Sequence, residues 1–168
     1  VNGLTVGGIC SGDENQLKDF DDDLILTQDF DELLNNVDAI FIVSHPSKHY
    51  KQAKKALENG VHVLCESPIA LKEEELCELF KLAKKNNLIL MDSIKTAYST
   101  AYNRLLLLAK KGKIGDVISV DATCTSLADG SGDDWNSITA WGPTALLPVF
   151  QLLGTDYKDK NINSLLLD

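Results

Sequence analysis

The feature that most restricts what this chain can fold into is a set of three short apolar runs: Ala39 to Val43 (AIFIV), Val61 to Cys65 (VHVLC) and Leu88 to Met91 (LILM). Each is too short for a buried helix, and each is continuous enough to read as a strand covered on both faces. Between the first two lies Ser47 to Asn59, where Tyr50, Ala53, Ala56 and Leu57 recur at helical spacing. Gly60 follows at the place where a left-handed helix stop favours glycine. Between the second and third lies Lys72 to Asn86, with Leu76, Leu79, Phe80 and Ala83 as its apolar stripe. Glu73, Glu74 and Glu75 occupy its first turn, where negative charge suits the helix dipole. Strand, helix, strand, helix, strand means right-handed βαβ units and a parallel sheet. The fold class is therefore α/β, with a parallel, Rossmann-like sheet.

The flanks are less regular. Leu4 to Cys10 is strand-like but weakened by Gly7 and Gly8, and Ser11 to Asp23 reads as a loop with one short helix. Asp29 to Leu34 reads as a short helix capped by Thr27 or Asp29. Thr100 to Lys111 reads as a helix, and Val117 to Cys124 alternates like a strand with one covered face. Beyond Gly115 the strand–helix rhythm stops, and Asp129 to Asn136 is a polar loop. This places a domain boundary near 115–118, with 1–117 as one domain and 118–168 as the start of a second α/β domain. Asn163 to Leu167 reads as a strand of that second sheet.

Charge and cysteine usage remove several classes of function. Twenty-five acidic residues against 16 basic ones give a net charge of −9, the wrong sign for a protein that grips nucleic acid by its phosphates. No apolar run approaches a membrane span and no signal peptide is visible, so a cytoplasmic protein is expected. Cys10, Cys65, Cys77 and Cys124 form no Cys-x-x-Cys or Cys-x-x-His spacing and read as reduced, buried thiols. His45 and His49 are four apart, but His45 precedes a proline and falls outside the helix, so no metal site is expected. The chain begins at Val1 and its single methionine is Met91. That is the pattern of a fragment, a processed form or an incomplete sequence.

In open parallel sheets, ligands bind beyond the carboxyl ends of the strands. Three strand ends carry unusual tails: Ser44-His45-Pro46-Ser47-Lys48-His49, Glu66-Ser67-Pro68 and Asp92-Ser93-Ile94-Lys95. If consecutive strands are neighbours, the tails converge on one cleft. Each tail also has a plainer reading. Pro46 and Pro68 can simply end strands and set helix entry, and Ser47 can be only an N-cap. Lys95 can equally be a surface lysine or a cleft donor. His62, at a strand start, reads as structural, and Lys110, Lys111 and Lys113 as a helix-end charge cluster.

Val37-Asp-Ala-Ile-Phe-Ile-Val-Ser-His-Pro, His49 and Ala56-Leu-Glu-Asn-Gly-Val-His-Val-Leu-Cys-Glu-Ser-Pro resemble the centre of the glucose–fructose oxidoreductase/inositol dehydrogenase (Gfo/Idh/MocA) family. Leu71 to Asn86, Leu88 to Lys95 and Gly112-Lys-Ile-Gly-Asp-Val continue the likeness, which covers about residues 4–125. The resemblance implies a partial dinucleotide-binding domain over 1–117 and the start of a substrate and oligomerisation domain over 118–168. It implies NAD or NADP as cofactor, a sugar-like or polyol substrate, and a homo-oligomer formed through the second domain. It places Ser44, His45, Pro46 and His49 along the cofactor, Glu66, Ser67 and Pro68 at the nicotinamide, and Lys95 facing the substrate cleft.

The departures from the family pattern are as informative. The family's opening strand and Gly-x-Gly-x-x-Gly turn, which hold the pyrophosphate, are absent, and Leu4 to Ser11 matches the family's second strand instead. Ser11 stands where an acid often meets the adenosine ribose. The usual Glu-Lys-Pro is Glu66-Ser67-Pro68, so the lysine of proton transfer is missing, and no histidine follows His62. Lys95, relayed by Ser67 or Ser93, becomes the candidate acid/base group; partial burial there would disfavour its ammonium. The lost lysine and histidine also support an alternative: a non-catalytic relative that binds a nucleotide or a partner. A pure interaction module is the third reading. In the Rossmann order the first strand lies between the second and the fourth, so its absence leaves two inner sheet edges unpaired, at about 1–3 kcal/mol per buried backbone group.

Overall fold

The computed structural model describes residues 3–20, 23–124 and 138–163. Contacts divide the chain into two units, Val1–Ser93 and Ile94–Asp168.

Among the described residues the first unit holds five strands, all in parallel pairs. β1 (Gly8–Cys10) pairs with β2 (Ile25–Thr27), and β3 (Ala39–Ile42), β4 (His62–Cys65) and β5 (Leu90–Asp92) form a second sheet in that order. The three apolar runs are therefore adjacent and parallel, as their pattern implies. β2 was not visible in the sequence: Ile25-Leu-Thr is three residues long and sits behind an acidic stretch. The expected Leu4–Cys10 strand shortens to its last three residues. A 3-10 turn, Glu14–Gln16, stands for the short helix expected in Ser11 to Asp23, with Asp13 as its cap.

The helices follow their caps and stripes. α1 (Phe30–Leu34) starts at Asp29, whose side chain accepts from the Asp31 N–H. α2 (Pro46–Glu58) buries Ala53, Ala56 and Leu57 and stops at Gly60, whose φ is +80°. Its N-cap is His45 rather than Ser47: the His45 Nδ1 faces the Ser47 N–H at 3.3 Å and the Ser47 hydroxyl at 2.8 Å. Pro46, at the first helical position, needs no N–H partner. α3 (Glu73–Lys85) buries Leu79 and Ala83, while Phe80 is half-exposed and lies outside the stripe. α2 and α3 are joined at the surface by Lys54, which donates to Glu78 at 2.6 Å, and by the Tyr50 hydroxyl, which donates to the same carboxylate at 2.7 Å.

One core unites these elements. Leu34, Ile42, Ala53, Ala56, Leu57, Val61, Val63, Cys65, Ile69, Leu79, Ala83 and Leu90 form a single buried cluster. It lies on one face of the β3–β4–β5 sheet only. The expectation that all three strands are covered on both faces is corrected: Phe41, Ile89 and Met91 are 50%, 56% and 41% exposed. Helices α2 and α3 are the connections between consecutive parallel strands, and right-handed crossovers of the same sense place both on the same side.

In the second unit, α4 (Lys95–Tyr98), α5 (Thr100–Lys110) and α6 (Ile138–Leu153) pack together. The Tyr102 hydroxyl donates to the Gln151 side-chain carbonyl at 2.6 Å, linking α5 to α6. Val117 to Cys124 is not a strand, which corrects the sequence reading. An alternating segment becomes a strand only against a partner, and among the described residues it has none. The loop expected at Asp129 to Asn136, and residues 164–167 of the strand expected at Asn163 to Leu167, lie outside the described residues. No described helix is long and apolar enough to cross a membrane.

Candidate active site at the strand ends

The carboxyl ends of β3, β4 and β5 lie side by side, because register pairs Ile42 with Cys65 and Cys65 with Asp92. The chain leaves each end through one of the three tails, and a buried imidazole ties two of them together. His49, on the first turns of α2, is fully buried. Its Nε2 lies 2.7 Å from the Ser44 carbonyl, at the end of β3, and its Nδ1 lies 2.8 Å from the Pro68 carbonyl, beyond β4. A ring one helical turn into α2 thus fixes the spacing of both loops. Pro46 and Pro68 are buried as well, so the prolines and His49 form the rigid back of the site.

The accessible polar groups stand in front of that wall. The Ser44 hydroxyl donates to Gln52, and His45 is exposed at the helix cap. Glu66 is half-buried, and the Ser93 hydroxyl sits 3.5 Å from its carboxylate. The Ser67 Oγ is buried and has no hydrogen-bond partner among the described residues. Buried hydroxyls are normally satisfied, so this atom marks a position where an incoming polar group would gain a hydrogen bond without displacing one. Ser67 leads into Pro68 through a cis peptide bond.

Asp92 was not singled out from sequence, although it ends the third apolar run. It and Glu66 face the Cys65 thiol closely enough to reinforce the effect of burial, which pushes the Cys65 pKa up to about 12. The strand ends are thus acidic and partly desolvated. The signal for Asp92 was its place as the first polar residue after LILM, the position that Ser44 and Glu66 hold in their own tails.

Other residues named from the sequence have their own surroundings. Ser11, at the end of β1, takes its N–H to the Thr27 carbonyl and donates from its hydroxyl to Gln16. Lys95 opens α4 and is exposed, not partly buried as the sequence reading expected. His62 is structural, as read: its Nδ1 accepts the Ile89 N–H at 2.9 Å. The buried-thiol expectation holds for Cys65, but Cys77 is exposed on α3 and Cys10 and Cys124 are half-buried. Among the described residues no three histidine, cysteine or acidic side chains gather as a metal set.

A parallel sheet with its polar loops gathered at the strand carboxyl ends is the arrangement of a nucleotide-binding α/β unit. The model of the oxidoreductase family with an NAD-binding Rossmann fold, Gfo/Idh/MocA, matches residues 1–93, and the chain belongs to that family. It is 32% identical over 107 residues to dTDP-3,4-didehydro-2,6-dideoxy-alpha-D-glucose 3-reductase of Streptomyces violaceoruber, covering 62% of this chain and 31% of that protein. It is 37% identical over 68 residues to the scyllo-inositol 2-dehydrogenase (NADP(+)) IolU of Bacillus subtilis, covering 40% and 21%. Among solved structures, KijD10, a 3-ketoreductase of Actinomadura kijaniata in complex with NADP and TDP-benzene, shares the fold at a TM-score of 0.79 and 22% identity, over 89% of this chain and 49% of that one. The chain spans less than a third of the length of these curated relatives.

Proposed function

We propose that this chain is part of an NAD(P)-dependent oxidoreductase that moves hydride to or from a carbinol carbon of a sugar-like or polyol substrate. The observation that carries the reading is the His49-tied pair of strand ends, the second of which carries the buried, unsatisfied Ser67 Oγ. NAD or NADP supplies the hydride chemistry when bound. The residues here fit its nicotinamide end: Ser44, His45, Glu66 and Ser67 offer polar groups, and Pro46, His49 and Pro68 hold the loops that carry them. Ser11 would stand near the adenosine ribose. The phosphate end has no counterpart, since residues 1–168 contain no Gly-x-Gly-x-x-Gly. The relatives' activities with a nucleotide sugar and an inositol support the substrate class.

Hydride transfer at a carbinol carbon requires a proton to move at its oxygen. Ser67 is a poor base unless a stronger group activates it, and Lys95 is the candidate group, acting directly or through Ser67 or Ser93. The second domain, beginning at about 118, would be the start of the substrate and homo-oligomer domain. A second reading is a non-catalytic relative, favoured by serine at position 67. In the complete protein, Lys95→Met should lower kcat by roughly 100-fold or more. An unchanged kcat with a raised KM makes Lys95 a binding residue, and no turnover of any sugar or polyol by the unaltered protein with either cofactor favours the second reading.

A further inference from the structure

Helix α2 ends on Asn59-Gly60, a side-chain amide followed by the least hindered backbone nitrogen a chain can offer. Gly60 stands at φ +80° just past the helix. Its N–H donates to the Leu57 carbonyl and the Val61 N–H to the Ala56 carbonyl, the two bonds of a Schellman stop. A residue with a Cβ is strained at that φ, so the stop favours glycine. Asn59 completes the helix end. Its backbone N–H reaches the Lys55 and Ala56 carbonyls, and its side-chain Nδ2 donates to the Lys55 carbonyl at 2.8 Å. Both residues are exposed, and a Cβ on Gly60 would meet nothing within 4 Å.

An asparagine amide is open to attack by the backbone nitrogen that follows it, and glycine puts no side chain in the way. Here that nitrogen is loosely held. The Gly60–Leu57 hydrogen bond is 3.4 Å long, beyond the usual range, whereas the Val61–Ala56 bond is 3.0 Å. The backbone angle opposes the attack. Asn59 has ψ +8°, so the Gly60 nitrogen eclipses the Asn59 nitrogen. From there about 120° of rotation separates it from the Cβ that carries the amide carbon. Turning ψ through that angle breaks both bonds of the stop.

We propose that Asn59 is a self-modification site gated by the stop at the end of α2. When the stop opens, hydroxide removes the Gly60 amide proton and the nitrogen attacks the Asn59 Cγ. The N–Cγ bond forms, the Cγ–Nδ2 bond breaks, and the amide nitrogen leaves as ammonia with a proton taken from water. Water then opens one of the two C–N bonds of the cyclic imide, giving aspartate or isoaspartate at position 59, and nothing is oxidised or reduced. Neither product remakes the native helix end. A carboxylate has no donor for the Lys55 carbonyl and sets negative charge at the negative end of the helix dipole. Isoaspartate also adds a carbon to the backbone between the Leu57 carbonyl and the Gly60 N–H. The modification is therefore one-way, and it loosens the link from α2 to β4. It is independent of the catalytic reading.

The test incubates the full chain at mildly alkaline pH, native and in unfolding urea. Tryptic peptides are mapped by mass spectrometry, and an isoaspartyl methyltransferase marks the isoaspartate. Cleavage after Lys55 and Lys72 leaves Asn59 as the one side-chain amide of its peptide. Asn2-Gly3, the same pair elsewhere in the sequence, is the reference for reactivity in urea. The expected result is modification at position 59 at least about tenfold faster in urea than in the native chain, with isoaspartate among the products. Asn59→Gln should abolish it in both. Once modified and returned to native buffer, the chain should exchange its Gly60 and Val61 amide hydrogens faster than the unmodified chain. Equal rates in the native and unfolded chain overturn the gate. A position 59 that stays intact in urea while Asn2 reacts, or that yields aspartate without isoaspartate, overturns the chemistry. Unchanged exchange at Gly60 and Val61 after modification overturns the loosening of the helix end.

Discussion

At the residue scale, the site is organised by a histidine that the family resemblance places along the cofactor. His49 follows Ser47 and Lys48 in a polar tail, yet the helix turn places it wholly inside, between two carbonyl groups. Nothing in local sequence marks the carbonyls of Ser44 and Pro68 as its partners, because Pro68 is brought close only by the pairing of β3 with β4. His49→Ala should leave a cavity and remove the ring that spans the Ser44 and Pro68 carbonyls, lowering stability by about 3 kcal/mol in urea denaturation. A loss under about 0.5 kcal/mol would show that these contacts hold nothing. The thiols divide equally sharply. Cys65 is buried beside Asp92 and Glu66, and its high pKa keeps it in the unreactive thiol form. Iodoacetamide at neutral pH should modify the exposed Cys77 in the native protein and reach Cys65 only on unfolding. Modification of Cys65 at the rate of Cys77 would contradict the burial described here.

At the scale of elements, what was legible depended on length and on partners. β3, β4, α2 and α3 were readable because each carries three or more apolar positions in a run of strand or helix length. β2 was missed since three residues give no period. Val117 to Cys124 was overread because alternation describes a surface without saying what covers it. Gly7 and Gly8 looked like weaknesses in a strand, but Gly8 is a requirement of packing. A Cβ there would lie 2.6 Å from the Ile25 carbonyl oxygen, 2.8 Å from the Ile25 Cβ and 3.0 Å from Leu33. Neither backbone nor a branched carbon can give way. Gly8→Ala should therefore separate β1 from β2 and α1, at a cost of about 1–3 kcal/mol, seen as a lower urea midpoint and faster exchange at the Ser11 and Ile25 amides. Gly12→Ala, where a Cβ meets nothing within 4 Å, is the matched control and should change little. Equal effects of the two substitutions would refute the packing argument.

At the scale of the whole molecule, the proposed site would offer a dinucleotide one end only. The strand ends of β3, β4 and β5 would supply polar groups and a rigid back wall to the nicotinamide side. Pyrophosphate recognition in such folds depends on successive backbone N–H groups at a glycine-rich turn and a helix N-terminus. In residues 1–168 the glycines that come close in sequence, Gly7, Gly8 and Gly12, lack that spacing, and the carboxyl end of β1 leads into the acidic Ser11 to Asp23. A net charge of −9 adds a further penalty for an anionic ligand. The 168-residue chain should therefore bind NADH or NADPH with a Kd weaker than about 100 μM, since the phosphate contacts that carry most of the affinity are missing. Isothermal titration calorimetry measures this directly, and a Kd in the micromolar range or tighter would refute it.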